Sequence, residues 1–171
     1  MIEQYKYLFL DRDGVVNVER PADYAKNVQE FIFEEGALEA IAILSKTFKH
    51  IFIITNQRGI GKGVMSYSDL EEVHSYMLRE IGKVGGCITQ IYFCTDLYST
   101  SINRKPNIGM GFQAQRDYPD INFSESIMVG NSKSDIEFGN KLGMHTILVG
   151  HKYAQGHKVY SQAKAFYENL Y

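Results

Sequence analysis

Short apolar runs alternate along the chain with longer amphipathic stretches. Lys6–Leu10, His50–Thr55, Ile88–Cys94, Ser126–Val129 and His145–Val149 are brief and rich in aromatic and β-branched residues, which predicts strands. Helical spacing predicts a helix over Ala37–Phe48, where Leu38, Ile41, Ala42, Leu44 and Phe48 form an apolar stripe. A second helix is marked by Ser68-Asp69-Leu70-Glu71, which has the Ser-x-x-Glu form of a capping box. Leu70, Val73, Met77 and Ile81 follow it at helical spacing, up to the stop at Gly85-Gly86. Gly111–Tyr118 and Asp135–Leu142 predict shorter helices, and Val159, Ala163, Phe166 and Leu170 predict a terminal one in the tail His151–Tyr171. The order βαβαβαβαβ implies right-handed crossovers and an α/β architecture, a mainly parallel sheet sandwiched by helices.

Length fits one such domain, since 171 residues bury a core without disulfide or metal staples. With 18 basic against 20 acidic side chains there is no electrostatic footprint for nucleic acid or an anionic membrane. The N-terminal apolar run is too short for a signal peptide and nothing approaches a membrane span, so a cytoplasmic protein is expected. Cys87 and Cys94 do not make a secreted disulfide framework and are expected as reduced thiols in or near a strand. The polar connection Asn17–Phe33 is long for a βα loop and is expected to lie over the strand ends as a flap.

Parallel sheets bind ligands outside the carboxyl ends of their strands. There the chain places Asp11 and Asp13, Thr55-Asn56-Gln57, Cys94-Thr95-Asp96 and Gly130-Asn131. One such Asp is an ordinary turn or cap residue. Two carboxylates this close repel unless something positive compensates, and Asp and Asn oxygens without a His/Cys cluster favour Mg²⁺ over zinc. If the chain bends at Gly14, Asp11 becomes the candidate nucleophile and Asp13 the candidate proton donor and acceptor. Phosphoryl transfer also needs a hydroxyl and a cation at the phosphoryl oxygens, for which Thr55 and Lys105 are candidates, the latter beside Arg104 in "NRKPN".

In order, "FLDRDGVVN", "ITNQRGIGKG", "RKP" and "MVGNSKSD" resemble the four motifs of the haloacid dehalogenase-like phosphatases. "DRDGVVN", the Thr-Asn-Gln-x-Gly-Ile tract and "SDLEEVHSYM" narrow the resemblance to the histidinol-phosphatase and heptose-bisphosphate-phosphatase branch. It implies a Rossmann-like sheet over residues 1–150, with 151–171 as a helical tail packed on the same domain, and a Mg²⁺-dependent phosphomonoesterase working through an aspartyl-phosphate. By position it makes Asp11 the nucleophile and Asp13 the acid and base. Thr55 and Lys105 become phosphoryl ligands, and Asp11, Asp13 (through its carbonyl) and Asn131 metal ligands. Asp135 would orient Lys105, and Asn56, Arg58 and Arg104 would contact phosphate or the substrate body. The acid Asp13 speaks for phosphate esters and against haloacids.

Two departures qualify the resemblance. The fourth motif usually begins Gly-Asp, whereas here it begins Gly130-Asn131, which removes a charge from the metal site and keeps open a phosphate-binding module without turnover. The branch's zinc loop retains only Cys94, with Asp96, Ser101 and Asn103 at the other ligand positions, so no zinc is expected. The places where related enzymes insert cap domains hold only short segments, so a capless, open site is expected. The expected substrate is a small phosphate ester, a heptose bisphosphate first and histidinol phosphate second, handled by a monomer without nucleic acid or membrane. A polynucleotide phosphatase shares part of the second motif but would need a basic groove.

Overall fold

The computed structural model describes residues 4–150; the helix expected in the tail lies outside them. Five strands, β1 (Tyr7–Leu10), β2 (His50–Asn56), β3 (Gln90–Cys94), β4 (Ser126–Gly130) and β5 (His145–Leu148), form one parallel sheet in the order β3-β2-β1-β4-β5. β1 is central, and Leu10 pairs with both Ile53 and Val129. That register brings the carboxyl ends of β1, β2 and β4 to one edge.

Helices cover both faces. Leu8, Leu10, Ile53 and Val129 pack on one side with Ile41 and Leu44 of α1 (Ala37–Leu44) and with Val73, Met77 and Ile81 of α3 (Tyr67–Lys83). Tyr7, Phe9, Phe52, Ile54 and Met128 pack on the other with Met110 and Ala114 of α4 (Gly109–Asp117) and Phe138 of α5 (Lys133–Leu142). All of β1 is therefore buried, which is why "YLFL" runs apolar without alternating. No helix among the described residues is long and apolar enough to cross a membrane.

Several boundaries differ from the expected ones for local reasons. α3 is capped by Ser66, not Ser68. The Ser66 hydroxyl accepts from the Asp69 amide at 3.1 Å and the Asp69 carboxylate accepts from the Ser66 amide at 2.7 Å, which satisfies the first-turn donors two residues earlier. α1 ends at Leu44, because the Ser45 hydroxyl turns back to the Ile41 carbonyl at 2.7 Å and a turn follows, although Phe48 still reaches the core. A one-turn helix, α2 (Arg58–Gly61), follows β2 and has no counterpart in the sequence pattern.

The connection Asn17–Phe33 is pinned at both ends. Asn17 bridges Phe33, the Val18 amide donates to Ile32 at 2.8 Å, and the Glu34 amide donates to Val16 at 3.0 Å. Val16, Ala25 and Phe31 are buried in the first core, so the segment is an anchored excursion. Neither it nor the stretch between β2 and Lys105 makes a separate cap.

Phe52 is fully buried, with its ring centroid 5.0 Å from that of Phe9 and 5.2 Å from that of Tyr118. Phe52→Ala is expected to lower unfolding free energy by about 3–5 kcal/mol, measured from urea denaturation curves.

Candidate active site

Beyond β1, the Asp11 amide still donates to the Val129 carbonyl at 2.9 Å, so the first carboxylate is fixed by the sheet ladder. The chain then turns. The Arg12 carbonyl accepts from Val16 at 2.8 Å and Asn17 at 3.1 Å, and Gly14 takes a left-handed φ of 87°. A Cβ on Gly14 would lie 1.9 Å from Asn131 Nδ2, so only glycine lets the turn and the end of β4 meet. The turn sends the two carboxylates into different surroundings.

Asp11 faces Lys105. The buried ammonium lies 2.8 Å from Asp11 Oδ1 and 2.6 Å from Asp135 Oδ1, and donates to the Ile54 carbonyl at 2.6 Å. Asp135 Oδ2 accepts from the Ser132 amide at 3.0 Å and its hydroxyl at 2.6 Å, so the residue that caps α5 also holds the lysine. Burial, then the negative charge of Asp135, raises the Asp11 carboxyl to about pKa 7 against the pull of Lys105. Burial pulls the Lys105 ammonium down, but the charges of Asp11 and Asp135 outweigh it and its pKa is raised. Two carboxylates around one ammonium leave an excess negative charge, which a divalent cation can balance.

Asp13 sits in a cage of donors. Oδ1 accepts from Arg12 Nη2 at 2.9 Å and Asn17 Nδ2 at 3.0 Å, and Oδ2 accepts from Gln57 Nε2 at 2.8 Å. Burial would raise its pKa, but the Arg12 charge and these hydrogen bonds prevail and hold it below the usual carboxylate value. Gln57 Nε2 also donates to Thr55 Oγ1 at 2.9 Å, linking the acid to the phosphoryl-ligand candidate. Behind Asp13, Arg12 is wholly excluded from solvent, with Nη1 3.1 Å from His74 Nε2 and its guanidinium carbon 5.7 Å from the Phe31 ring centre. Burial, and then the Arg12 charge, depress His74 to about pKa 3, so the ring is neutral.

The three expected substrate contacts fall differently. Asn56 accepts from the Lys105 amide at 3.0 Å and donates to the Lys105 carbonyl at 3.1 Å, so both ends of its side chain latch the lysine backbone. Arg104 donates to the Leu97 carbonyl and ties down the loop between β3 and Lys105. Arg58 opens α2, with its Nε buried and unpartnered. Asn131 follows β4, and its Nδ2 donates to Glu19 Oε2 at 3.0 Å, which leaves its amide oxygen as the atom for a cation. The Asp11 carboxylate, the Asp13 carbonyl and the Asn131 amide oxygen would offer a cation oxygen ligands alone, the donor chemistry that suits Mg²⁺. Among the described residues, no three His, Cys, Asp or Glu side chains converge to hold a metal.

In the loop corresponding to the branch's zinc site, Asp96 accepts the Ser101 hydroxyl and Asn103 Oδ1 accepts from Gln113 at 3.1 Å. Asn107 donates to the Ser99 and Ser101 carbonyls at 2.8 Å each. Hydrogen bonds therefore occupy three of the positions that carry metal ligands elsewhere in the branch, while Cys94 stays buried with its thiol pushed up by burial.

A parallel sheet in this order, with a nucleophile candidate after its central strand and a buried lysine after its third strand, defines a phosphatase of the haloacid dehalogenase-like class. Comparison with known proteins agrees. Residues 102–168 match the HAD-hydrolase-like family model. The chain is 35% identical over 151 residues to the D-glycero-alpha-D-manno-heptose-1,7-bisphosphate 7-phosphatase of Burkholderia mallei, covering 83% of this chain and 78% of that protein. Over the same length it is 36% identical to the corresponding beta-heptose phosphatase of Neisseria meningitidis, covering 84% and 76%. A D,D-heptose 1,7-bisphosphate phosphatase from B. bronchiseptica, complexed with magnesium and phosphate, superposes with a TM-score of 0.83 at 29% identity, over 96% of this chain and 99% of that one. The chain belongs to the haloacid dehalogenase-like phosphatases, in their histidinol- and heptose-bisphosphate-phosphatase branch.

The neutral His74 makes acid stability testable. Its folded pKa lies near 3 against an ordinary 6.5, so between those values the unfolded chain binds one proton more. The stability is complete above pH 6.5 and is lost as pH falls towards 3. Moving from about pH 7.5 to about pH 5 should cost the unmutated protein roughly 2 kcal/mol more than it costs His74→Gln, measured by urea unfolding of both proteins at each pH.

Proposed function

We propose that the protein is a Mg²⁺-dependent phosphomonoesterase acting through an aspartyl-phosphate on a heptose bisphosphate. The observation that carries this reading is the Lys105 ammonium held between Asp11 and Asp135, with a separately caged carboxylate two residues after Asp11. The Asp11 carboxylate attacks phosphorus in line with the leaving oxygen and takes up the phosphoryl group. Lys105 faces the charge that develops on the phosphoryl oxygens. Since Gln57 donates to Thr55 Oγ1, the hydroxyl hydrogen of Thr55 is free to point at one of those oxygens. Asp13 gives its proton to the leaving oxygen, then as carboxylate takes one from the water that hydrolyses the acyl phosphate. Its resting environment favours the anion, but a phosphate dianion docking beside it raises its proton affinity.

A Mg²⁺ ion held by Asp11, the Asp13 carbonyl and Asn131 would supply positive charge at the phosphoryl group and keep Asp11 ionised. The substrate class rests on the relatives, which are named as heptose-1,7-bisphosphate 7-phosphatases of both anomers. That support favours the heptose ester over histidinol phosphate. The neutral Asn131 carries a second reading, a phosphate-binding module with little turnover.

Asp11→Asn should abolish phosphate release from D,D-heptose 1,7-bisphosphate, by at least about a thousandfold, with an unchanged circular dichroism spectrum. Retained turnover in that variant would refute the nucleophile. Asn131→Asp should lower the Mg²⁺ concentration giving half-maximal rate by roughly tenfold, measured by titration after chelation. If only Asn131→Asp releases phosphate while the unmutated protein does not, the binding-module reading replaces the enzymatic one.

A further inference from the structure

Among the described residues Arg12 is the largest of the fully buried side chains, and phosphoryl transfer as described above gives it no task. Its surroundings are poor for a mere stabiliser, because Nε is buried without a partner and a buried ion pair is often no better than an apolar replacement of similar size. They are good for fixing direction. Nη1 and Nη2 lie in one rigid plane; Nη2 donates to Asp13 Oδ1 at 2.9 Å, and Nη1 lies 3.1 Å from His74 Nε2. Arginine can only donate, so the facing histidine nitrogen accepts.

His74 is itself immobilised. It is buried on α3 between core residues Val73 and Met77, and the Phe93 ring meets it edge-on with centroids 5.9 Å apart. Phe31 lies 5.7 Å from the guanidinium carbon. The plane of the guanidinium is thus set by a helix, and one oxygen of the Asp13 carboxyl is set by that plane.

We propose that His74 and Arg12 are positioning residues for proton transfer, holding the Asp13 carboxyl in the orientation from which it reaches the leaving oxygen. This rests on the phosphatase reading. A misaligned acid harms an ester in proportion to how much its leaving group needs a proton, whereas general loosening of the fold harms all esters alike. The readout is the dependence of kcat/KM on leaving-group pKa across aryl phosphates from 4-nitrophenyl to phenyl, at saturating Mg²⁺.

His74→Phe keeps a ring of similar shape without the acceptor, His74→Gln returns an acceptor, and Arg12→Lys keeps the charge without the planar fork. In His74→Phe and Arg12→Lys, the 4-nitrophenyl ester should lose less than about threefold and the phenyl ester at least about tenfold, with most of the loss recovered in His74→Gln. A parallel loss across the series, or none, overturns the positioning role and leaves the phosphatase reading intact. Should His74→Phe fail to fold, Arg12→Lys decides by the same slope. If the unmutated protein hydrolyses no aryl ester, the same variants are compared on D,D-heptose 1,7-bisphosphate. Its poor alkoxide leaving group demands at least about a tenfold loss, restored in His74→Gln, and no loss overturns the positioning role. If that ester is not hydrolysed either, the phosphatase reading fails and this inference falls with it.

Discussion

The ion pairs of Lys105 with Asp11 and Asp135 are the constraint around which the site is organised. They join residues 94 positions apart, from the end of the central strand and from the loop after β3, and they close onto the first turn of α5. A buried ammonium is tolerated only when its charge and donors are met, and here the Asp11 carboxylate and the Ile54 carbonyl accept from it while the Asp135 carboxylate lies 2.6 Å away. Elements with ordinary structural duties thereby acquire chemical ones. The cap of α5 orients the second carboxylate, and the amide of Asn56 sets the lysine backbone.

The second organising feature is the divergence of two aspartates along a single turn. Neighbouring carboxylates would normally share a field and titrate together. Here burial acts on both but their partners differ, Asp11 meeting Lys105 and the negative charge of Asp135 while Asp13 meets a guanidinium and two side-chain amides. The resulting shifts are opposite in sign and run against the roles of nucleophile and acid, so a bound cation would have to keep Asp11 ionised and a docked phosphate would have to raise the proton affinity of Asp13.

Much of this was legible in the sequence. The strand and helix order implied the parallel sheet, and the strand-end rule located Asp11, Asp13, Thr55 and Asn131 at its carboxyl edge. What the pattern did not contain was partner choice. Asn56 and Gln57 are adjacent polar residues of similar chemistry, yet one latches Lys105 and the other bridges Asp13 and Thr55. Nothing local distinguishes them, because the difference comes from which way β2 hands over to α2. His74 did leave a signal, since it falls within the apolar stripe Leu70, Val73, Met77 and Ile81, where a polar residue needs a buried partner. Arg12, a charge at the end of an apolar strand, was that partner. The α3 cap shifted because Ser66 and Ser68 both fit a capping pattern, and Asp69 satisfies the earlier one.

The place of β1 has one further consequence. It is the central strand, flanked by β2 and β4 and contributing to both cores, and its amides belong to the part of a fold that opens last. A reactive group suspended from such a strand cannot be withdrawn by fraying at an edge. Its presence is tied to cooperative unfolding of the whole domain, so the centre is an all-or-none property of the molecule, while adaptation to different esters falls to the peripheral loops.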